Sequence, residues 1–406
     1  MILKKQYIKV FFILLLSTQV AFADHEDEKS DSTKDLAVES NTTDEQSSSN
    51  DSNLADAESP VLFTDEITEF FDNEIPVDSG LFFKHINSLE FQISMDYNSE
   101  VKRFIDYFGT SWQSKLKEMI TLSEHYFPVY ESVMDKNDLP LELKYVSVIE
   151  SALNPYATSR SGAVGLWQFM PYTGKFYDLK IDRYQDERRD IEKSTEAAAH
   201  YFKDMSLVFD DWLVVIASYN CGPGNIRKAI RHAGGKTGFW EIYPYLPRQT
   251  QNYIPSYIAV AYLMNFYEHY NIFPAYVEKP ETEITKVLCS PNHNLQAVAE
   301  TLGMTLEDIR KLNPPLKSNN IPANVTSMEI YLPNDKALTF IDKEAEILVL
   351  SESYKPAMQE IVYVVRSGDS LGAIANRKGC SVTEIKEWNN LRSNTIHPGN
   401  RLKLYL

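Results

Sequence analysis

Cysteine is scarce in this chain: Cys221, Cys289 and Cys380 are the only three in 406 residues. Their wide spacing excludes a disulfide framework, leaving buried free thiols as the expectation and at most one optional bridge. The eight histidines are scattered, with no H-E-x-x-H and no C-x-x-C, so no metal site and no cofactor are expected. Positive charge is short as well. Forty Lys and Arg stand against 57 Asp and Glu, a net charge of −17 that argues against nucleic acid as a partner. Beyond the N-terminal region, no apolar run is long enough to span a bilayer.

What is present is enough chain for about two to three domains. Apolar residues make up 43%, which supports a sizeable core. Tyr alone occurs 24 times, which fits carbohydrate stacking as well as a helical core rich in Tyr and Phe. The first residues read as a secretory signal over 1–23. Lys4, Lys5 and Lys9 precede an apolar run from Val10 to Val20, and Ala21-Phe22-Ala23 is a cleavage site before Asp24. The run is short for an uncleaved anchor, and no Cys near the site supports lipid attachment. Between Asp24 and Pro60 twelve acidic residues face two basic ones, giving −10. With almost no large apolar residues, 24–60 cannot offset its ordering entropy and is expected to be a disordered acidic tether.

From 61 to 275, with a core at about 125–265, the pattern is helical. Val101, Phe104, Ile105 and Phe108 recur at helical spacing, as do Leu116, Met119, Ile120 and Leu122. No long alternating run appears, so the region reads as all-α. A helix is predicted from Leu139-Pro140, capped by Asp138 and closed by Asn154-Pro155. Others are predicted to follow Ser194-Thr195 and Asp211.

After a Pro- and charge-rich boundary at 276–282 there is an internal repeat. Shifted by 76 positions, Leu295, Val298 and Ala299 meet Leu371, Ile374 and Ala375. Thr305, Asp308 and Ile309 likewise meet Ser381, Glu384 and Ile385, and Asn313 meets Asn389. Thr305-x-x-Asp308 and Ser381-x-x-Glu384 each have the form of a capping box. The second copy adds a strand at Tyr363-Val364-Val365, then Gly368-Asp369-Ser370. A turn, His397-Pro398-Gly399-Asn400, leads into a last strand over Leu402–Leu404. Two small α+β modules of β-α-α-β form are predicted, at 283–335 and 361–406.

The chemistry centres on LPLELKYVSVIESALNPYATSRSGAVGLWQFMP, residues 139–171. Glu150 ends an apolar helix, ahead of a Gly-containing turn with an aromatic and an amide, Gly165-Leu166-Trp167-Gln168. A half-buried acid facing amide and aromatic side chains suits cleavage of a glycosidic bond. The helix macrodipole disfavours the anion by only about 0.3–1 kcal/mol, less than one pKa unit. Complete burial raises a carboxyl by up to about 3–5 units, so desolvation must dominate if Glu150 is to stay protonated near neutrality. Tyr219 and Asn220 in Ala217-Ser218-Tyr219-Asn220-Cys221-Gly222, and Tyr253 in Gln251-Asn252-Tyr253-Ile254-Pro255, are neutral groups suited to acetamido and hydroxyl substituents. Each motif alone is also what a common helix end looks like.

Together, in this order, Glu150-Ser151, GLWQFMP, SYNCG and QNYIP resemble the family 1 lytic transglycosylases, whose catalytic domain is lysozyme-like and mainly α (SLT-type). DERRD at 186–190 and STEAAAHYF at 194–202 look like the membrane-bound murein transglycosylase D branch. The match spans roughly 90–275. The repeat is similar to the LysM peptidoglycan-binding module. The second copy is a good match, while the first is degenerate and lacks the Gly-Asp-Ser signature.

A hydrolase of the usual kind needs two carboxylates about 5–5.5 or 6.5–9.5 Å apart. No second acid lies between Glu150 and Gly165, and the first downstream is Asp178. The resemblance implies one acid used twice, cutting between N-acetylmuramic acid (MurNAc) and N-acetylglucosamine (GlcNAc) to leave a 1,6-anhydro sugar. It implies that Gln168, Tyr219, Asn220 and Tyr253 orient the sugar, with Ser151 near the acid or capping the helix. Tyr172 reads as structural, and Trp167 as core before groove wall. Peptidoglycan is then the partner, the periplasm or cell envelope the location, and a monomer the expected state. A goose-type lysozyme hydrolase, an inactive glycan-binding scaffold and a Cys221 thiol peptidase with His232 are the rival readings.

Overall fold

The computed structural model describes residues 75–276, 283–322, 325, 327–354, 360–378 and 380–405. The expected signal at 1–23 and acidic tether at 24–60 lie outside the described residues.

The helical region opens with α1 (Ser79–Ile86), α2 (Ser99–Gly109) and α3 (Gln113–Lys136), followed by α4 (Lys144–Ser151) and α5 (Pro171–Phe176). It continues with α6 (Ile191–Ser206), α7 (Trp212–His232), α8 (Phe239–Ile242) and α9 (Arg248–Phe266). The helical stripes fall where the spacing puts them. Val101, Phe104, Ile105 and Phe108 of α2 are fully buried, and Leu116, Met119 and Ile120 of α3 join the same core. Along α9, Tyr253, Ile254 and every residue from Tyr257 to Leu263 are buried, so this helix is the axis of the core. Among the described residues no helix is long and apolar enough to cross a membrane.

Two helix starts differ from expectation. Asp138 does not cap α4: it takes a left-handed φ of 56°, and a short 3-10 turn over Leu141–Leu143 leads into the helix. α6 begins before Ser194-Thr195, at Ile191, where the Asp190 carboxylate accepts from the Lys193 N–H at 2.9 Å. Ser194 and Thr195 instead bond back to the Asp190 and Ile191 carbonyls, the alternative partner such hydroxyls find inside a helix. Asp211 does cap α7, accepting from the Leu213 N–H at 2.8 Å.

Beyond 283 the repeat resolves into two strand–helix–helix–strand units. In the first, β1 (Ile284–Cys289) pairs antiparallel with β2 (Met328–Pro333), Ile284 opposite Pro333 and Cys289 opposite Met328. Between them lie α10 (Leu295–Leu302) and α11 (Leu306–Leu312). Alternation puts Met328, Ile330 and Leu332 in the module's core. Two helices that the repeat does not foreshadow, α12 (Asn334–Asp342) and α13 (Glu344–Ser353), extend that core past 335 through Ala337, Phe340 and Ile347.

In the second unit, β3 (Glu360–Val364) pairs antiparallel with β4 (Arg401–Tyr405) around α14 (Leu371–Lys378) and α15 (Val382–Trp388). Its own small core holds Leu371, Ile374, Ile385, Leu402 and Leu404. Both capping boxes form: Thr305 Oγ1 accepts from Asp308 N at 3.1 Å, and Ser381 Oγ from Glu384 N at 3.0 Å. Arg183, in the helical region, donates to the Lys378 carbonyl of this unit at 2.6 Å.

Candidate active site

α4 ends abruptly. Ala152 and Leu153 take φ of 52° and 59°, left-handed values that L-residues with side chains adopt only when their surroundings hold them there. The turn sends the chain back across the helix end, so that Ser147 and Ser151 both donate to the Leu166 carbonyl, at 2.9 and 2.8 Å. The Ser151 hydroxyl, also within reach of the Ser147 carbonyl at 3.1 Å, is thus spent on the backbone.

The segment from 158 to 169 folds on itself through Thr158–Val164 and Val164–Phe169 bridges. Gly165 is required there: its φ is 89°, and a Cβ would lie 1.8 Å from the Arg188 carbonyl oxygen. Arg188 holds the loop a second way, its Nη1 donating to the Gly162 and Phe169 carbonyls at 2.9 Å each. Trp167 points into the core, not a groove. It is fully buried, its indole N–H donates to Thr195 Oγ1 at 2.9 Å, and its ring packs on Tyr130 at 5.0 Å. Gln168 is 6% exposed. Its amide N–H groups donate to the Gly165 and Ala157 carbonyls at 2.8 and 3.2 Å. Its Oε1 is buried with no hydrogen-bond partner among the described residues.

Glu150 is 5% exposed, and Tyr253, at 1% exposed, donates its hydroxyl to Glu150 Oε1 at 2.5 Å. Burial pushes the Glu150 carboxyl up to about 8, against the opposing pull of the Tyr253 hydrogen bond. No second carboxylate is among the causes of that shift. The Tyr253 hydroxyl is itself held well above its ordinary range, by burial and then by the Glu150 charge.

Tyr219 sits near the break in α7, where Gly222, at φ 78° and ψ 152°, interrupts the helix ahead of Pro223. Its hydroxyl donates to the Trp167 carbonyl at 2.6 Å, and burial, then the Glu150 charge, raises its pKa. Asn220 Oδ1 accepts from Thr250 Oγ1 at 2.8 Å. Of the six singled-out residues, then, Glu150, Tyr253 and Tyr219 form one electrostatic group. Gln168 presents a bare acceptor, Asn220 is tied to α9, and Ser151 belongs to the scaffold. Arg188 and Ser147, which position the loop, carry no signal in the sequence beyond the DERRD run and an apolar helix.

Burial pushes the Cys221 thiol up to about 11, the reverse of an activated nucleophile. All three cysteines are free, and among the described residues no group of three or more His, Cys, Asp or Glu is arranged to hold a metal ion.

Comparison with known proteins gives three family matches. Residues 130–241 match the Transglycosylase SLT domain. Residues 283–349 match the lytic transglycosylase MltD LysM-like domain, and 363–404 the LysM domain. Over 305 residues the chain is 32% identical to the membrane-bound lytic murein transglycosylase D of Escherichia coli K12. The alignment covers 72% of this chain and 66% of that protein's length. A putative tributyltin chloride resistance protein of Alteromonas sp. is 35% identical over 115 residues, 28% of this chain and 56% of its own. An N-acetylmuramoyl-L-alanine amidase of Staphylococcus saprophyticus is 52% identical over 42 residues, 10% of this chain and 13% of its own. Among solved structures, the 70 kDa soluble lytic transglycosylase of Escherichia coli aligns at a TM-score of 0.32 and 20% identity. That alignment covers 43% of this chain and 32% of that one, a likeness too low to carry an argument.

Proposed function

This chain belongs to the SLT lytic transglycosylases that carry LysM modules, and from that premise we propose that it cleaves the MurNAc–GlcNAc bond of peptidoglycan. The reaction is a lytic transglycosylation with Glu150 as the single acid and base. The observation that carries the reading is the Glu150 carboxyl, raised to about 8 by burial while Tyr253 occupies its Oε1. With Oε1 accepting from the phenol, the carboxyl proton resides on Oε2, free to be delivered.

Glu150 Oε2–H protonates the glycosidic oxygen as the C1–O bond breaks, and the GlcNAc 4-hydroxyl departs. The 2-acetamido group stabilises the cation at C1. The carboxylate then removes the proton of the MurNAc C6 hydroxyl, and O6 closes on C1. One proton leaves Glu150 and one returns, and water is not consumed. The Tyr253 hydrogen bond supports the carboxylate between the two steps. Gln168 Oε1, buried without a partner, suits an acetamido N–H, and the Tyr219 hydroxyl is held next to it on the Trp167 carbonyl. The second module, with its LysM match, holds the enzyme on the glycan and raises local substrate concentration. The site of action is the cell envelope.

Mass analysis of the muropeptides released from purified sacculi tests the reading. Products one water lighter than hydrolysed muropeptides are expected. Reducing-end products would establish a goose-type hydrolase instead, and binding without products an inactive scaffold.

A further inference from the structure

The first module does not stand apart from the helical region. Between α5 and α6 the segment 181–186 forms a small bridged turn, Ile181 with Asp186, and its outer edge is completed by the module. Gln185 bridges Leu316 antiparallel: Asp186 N donates to the Pro315 carbonyl and Lys317 N to the Tyr184 carbonyl, both at 2.8 Å. Lys317 Nζ donates to the Asp182 carbonyl at 2.5 Å, and Tyr184 packs against the module's apolar core. Further contacts flank the bridge. Lys286 of β1 meets Glu192 of α6 at 2.5 Å, and the Tyr156 hydroxyl donates to the Arg310 carbonyl at 3.1 Å.

The residue gripped by this bridge, Asp186, is the partner of Arg188, which holds the 158–169 loop. Asp186 holds Arg188 with both carboxylate oxygens, at 2.8 and 2.7 Å, each residue nine-tenths or more buried. Arg188 in turn holds the Gly162 and Phe169 carbonyls, and its own carbonyl is what Gly165 is shaped to admit. The chain of contacts therefore runs from Pro315 through Asp186 and Arg188 to the loop that places Gln168 and ties down the end of α4.

The module's own surface agrees. Where the second module has Gly368-Asp369-Ser370, the first has Asn292-His293-Asn294. His293 and Asn294 are buried there, with Asn294 N donating to Ser351 Oγ of α13 at 2.9 Å.

We propose that the first module is a positioning element for the catalytic loop and not a glycan anchor, acting through Asp186 and Arg188. The proposal rests on the transglycosylase reading for its effect on turnover, but not for its effect on the loop. The test uses the full chain with Tyr184→Asp, which sets a carboxylate against the module's core, and separately Lys317→Pro, which deletes the N–H that meets Tyr184. Both should lower kcat on soluble glycan by about tenfold to a hundredfold, the cost of a misplacement near 1 Å. KM and retention on sacculi should stay unchanged. Amide exchange over 162–169 should accelerate in both variants. Unchanged kcat with unchanged exchange would overturn the proposal, as would weakened sacculus retention at full kcat. A parent chain that makes no anhydro product would sink the transglycosylase reading alone, because the exchange measurement needs no activity.

Discussion

The Tyr253 hydroxyl and Glu150 Oε1 are 2.5 Å apart across 103 residues of sequence, both nearly removed from solvent. The pair sets the protonation of the acid from two directions. Burial raises the carboxyl, and the phenol lowers it by stabilising the anion.

Tyr253→Phe removes the lowering influence and keeps the burial. The alkaline limb of the kcat/KM profile should then move up from about 8. In the proposed mechanism the carboxylate between the two steps also loses a hydrogen bond to a charged group, worth about 1.5–3 kcal/mol, so kcat should fall roughly tenfold to a hundredfold. A pH–rate profile of parent and variant checks both. A limb that moves down contradicts the assignment.

Glu150→Gln should stabilise the fold at neutral and alkaline pH. With a native pKa near 8 against an ordinary 4.5, the folded chain holds a proton that the unfolded chain releases between those values. Stability therefore falls as pH rises through that window. The amide carries no such penalty. The variant should melt higher by at least roughly 2–4 °C near pH 8, about 1 kcal/mol in a domain of this size, with no gain near pH 4. Melting curves at the two pH values suffice.

Gly165→Ala should be poorly tolerated. A methyl 1.8 Å from the Arg188 carbonyl oxygen must push the backbone apart, at a φ of 89° that alanine disfavours. A loss above about 2 kcal/mol is expected, read as a drop in denaturation midpoint, whereas Gly224→Ala, with nothing within 4 Å, should cost far less.

Removing 361–406 should weaken sacculus pull-down more than turnover of soluble glycan, because the second unit has a small core of its own. Equal loss of both would count against a separate anchor.

The fold was legible wherever a local signal decides structure. The stripe of Val101, Phe104, Ile105 and Phe108, the Asp211 cap and the two capping boxes all follow from spacing alone. It was not legible where one residue type serves two uses. Ser194 and Thr195 read as a cap, yet hydroxyls that bond back to their own helix look identical in sequence, and Asp190 took the role. Helices α12 and α13 fall outside the repeat and gave no pattern to match. In the site, Glu150 stood out, but whether Ser151 faces a sugar or a carbonyl depends on where Leu166 returns. The Arg188 clamp depends on Gly162 and Phe169 meeting it from 26 and 19 residues away. Such long-range contacts leave no periodic trace.

The central claim, that Glu150 alone supplies both proton transfers and no water enters, is tested most directly by digesting sacculi in water enriched in heavy oxygen, with Glu150→Gln alongside. Anhydro products carrying no heavy oxygen are expected, and none from the variant. Products that gain one heavy oxygen at the reducing end, or a variant that still yields anhydro sugar, would contradict it.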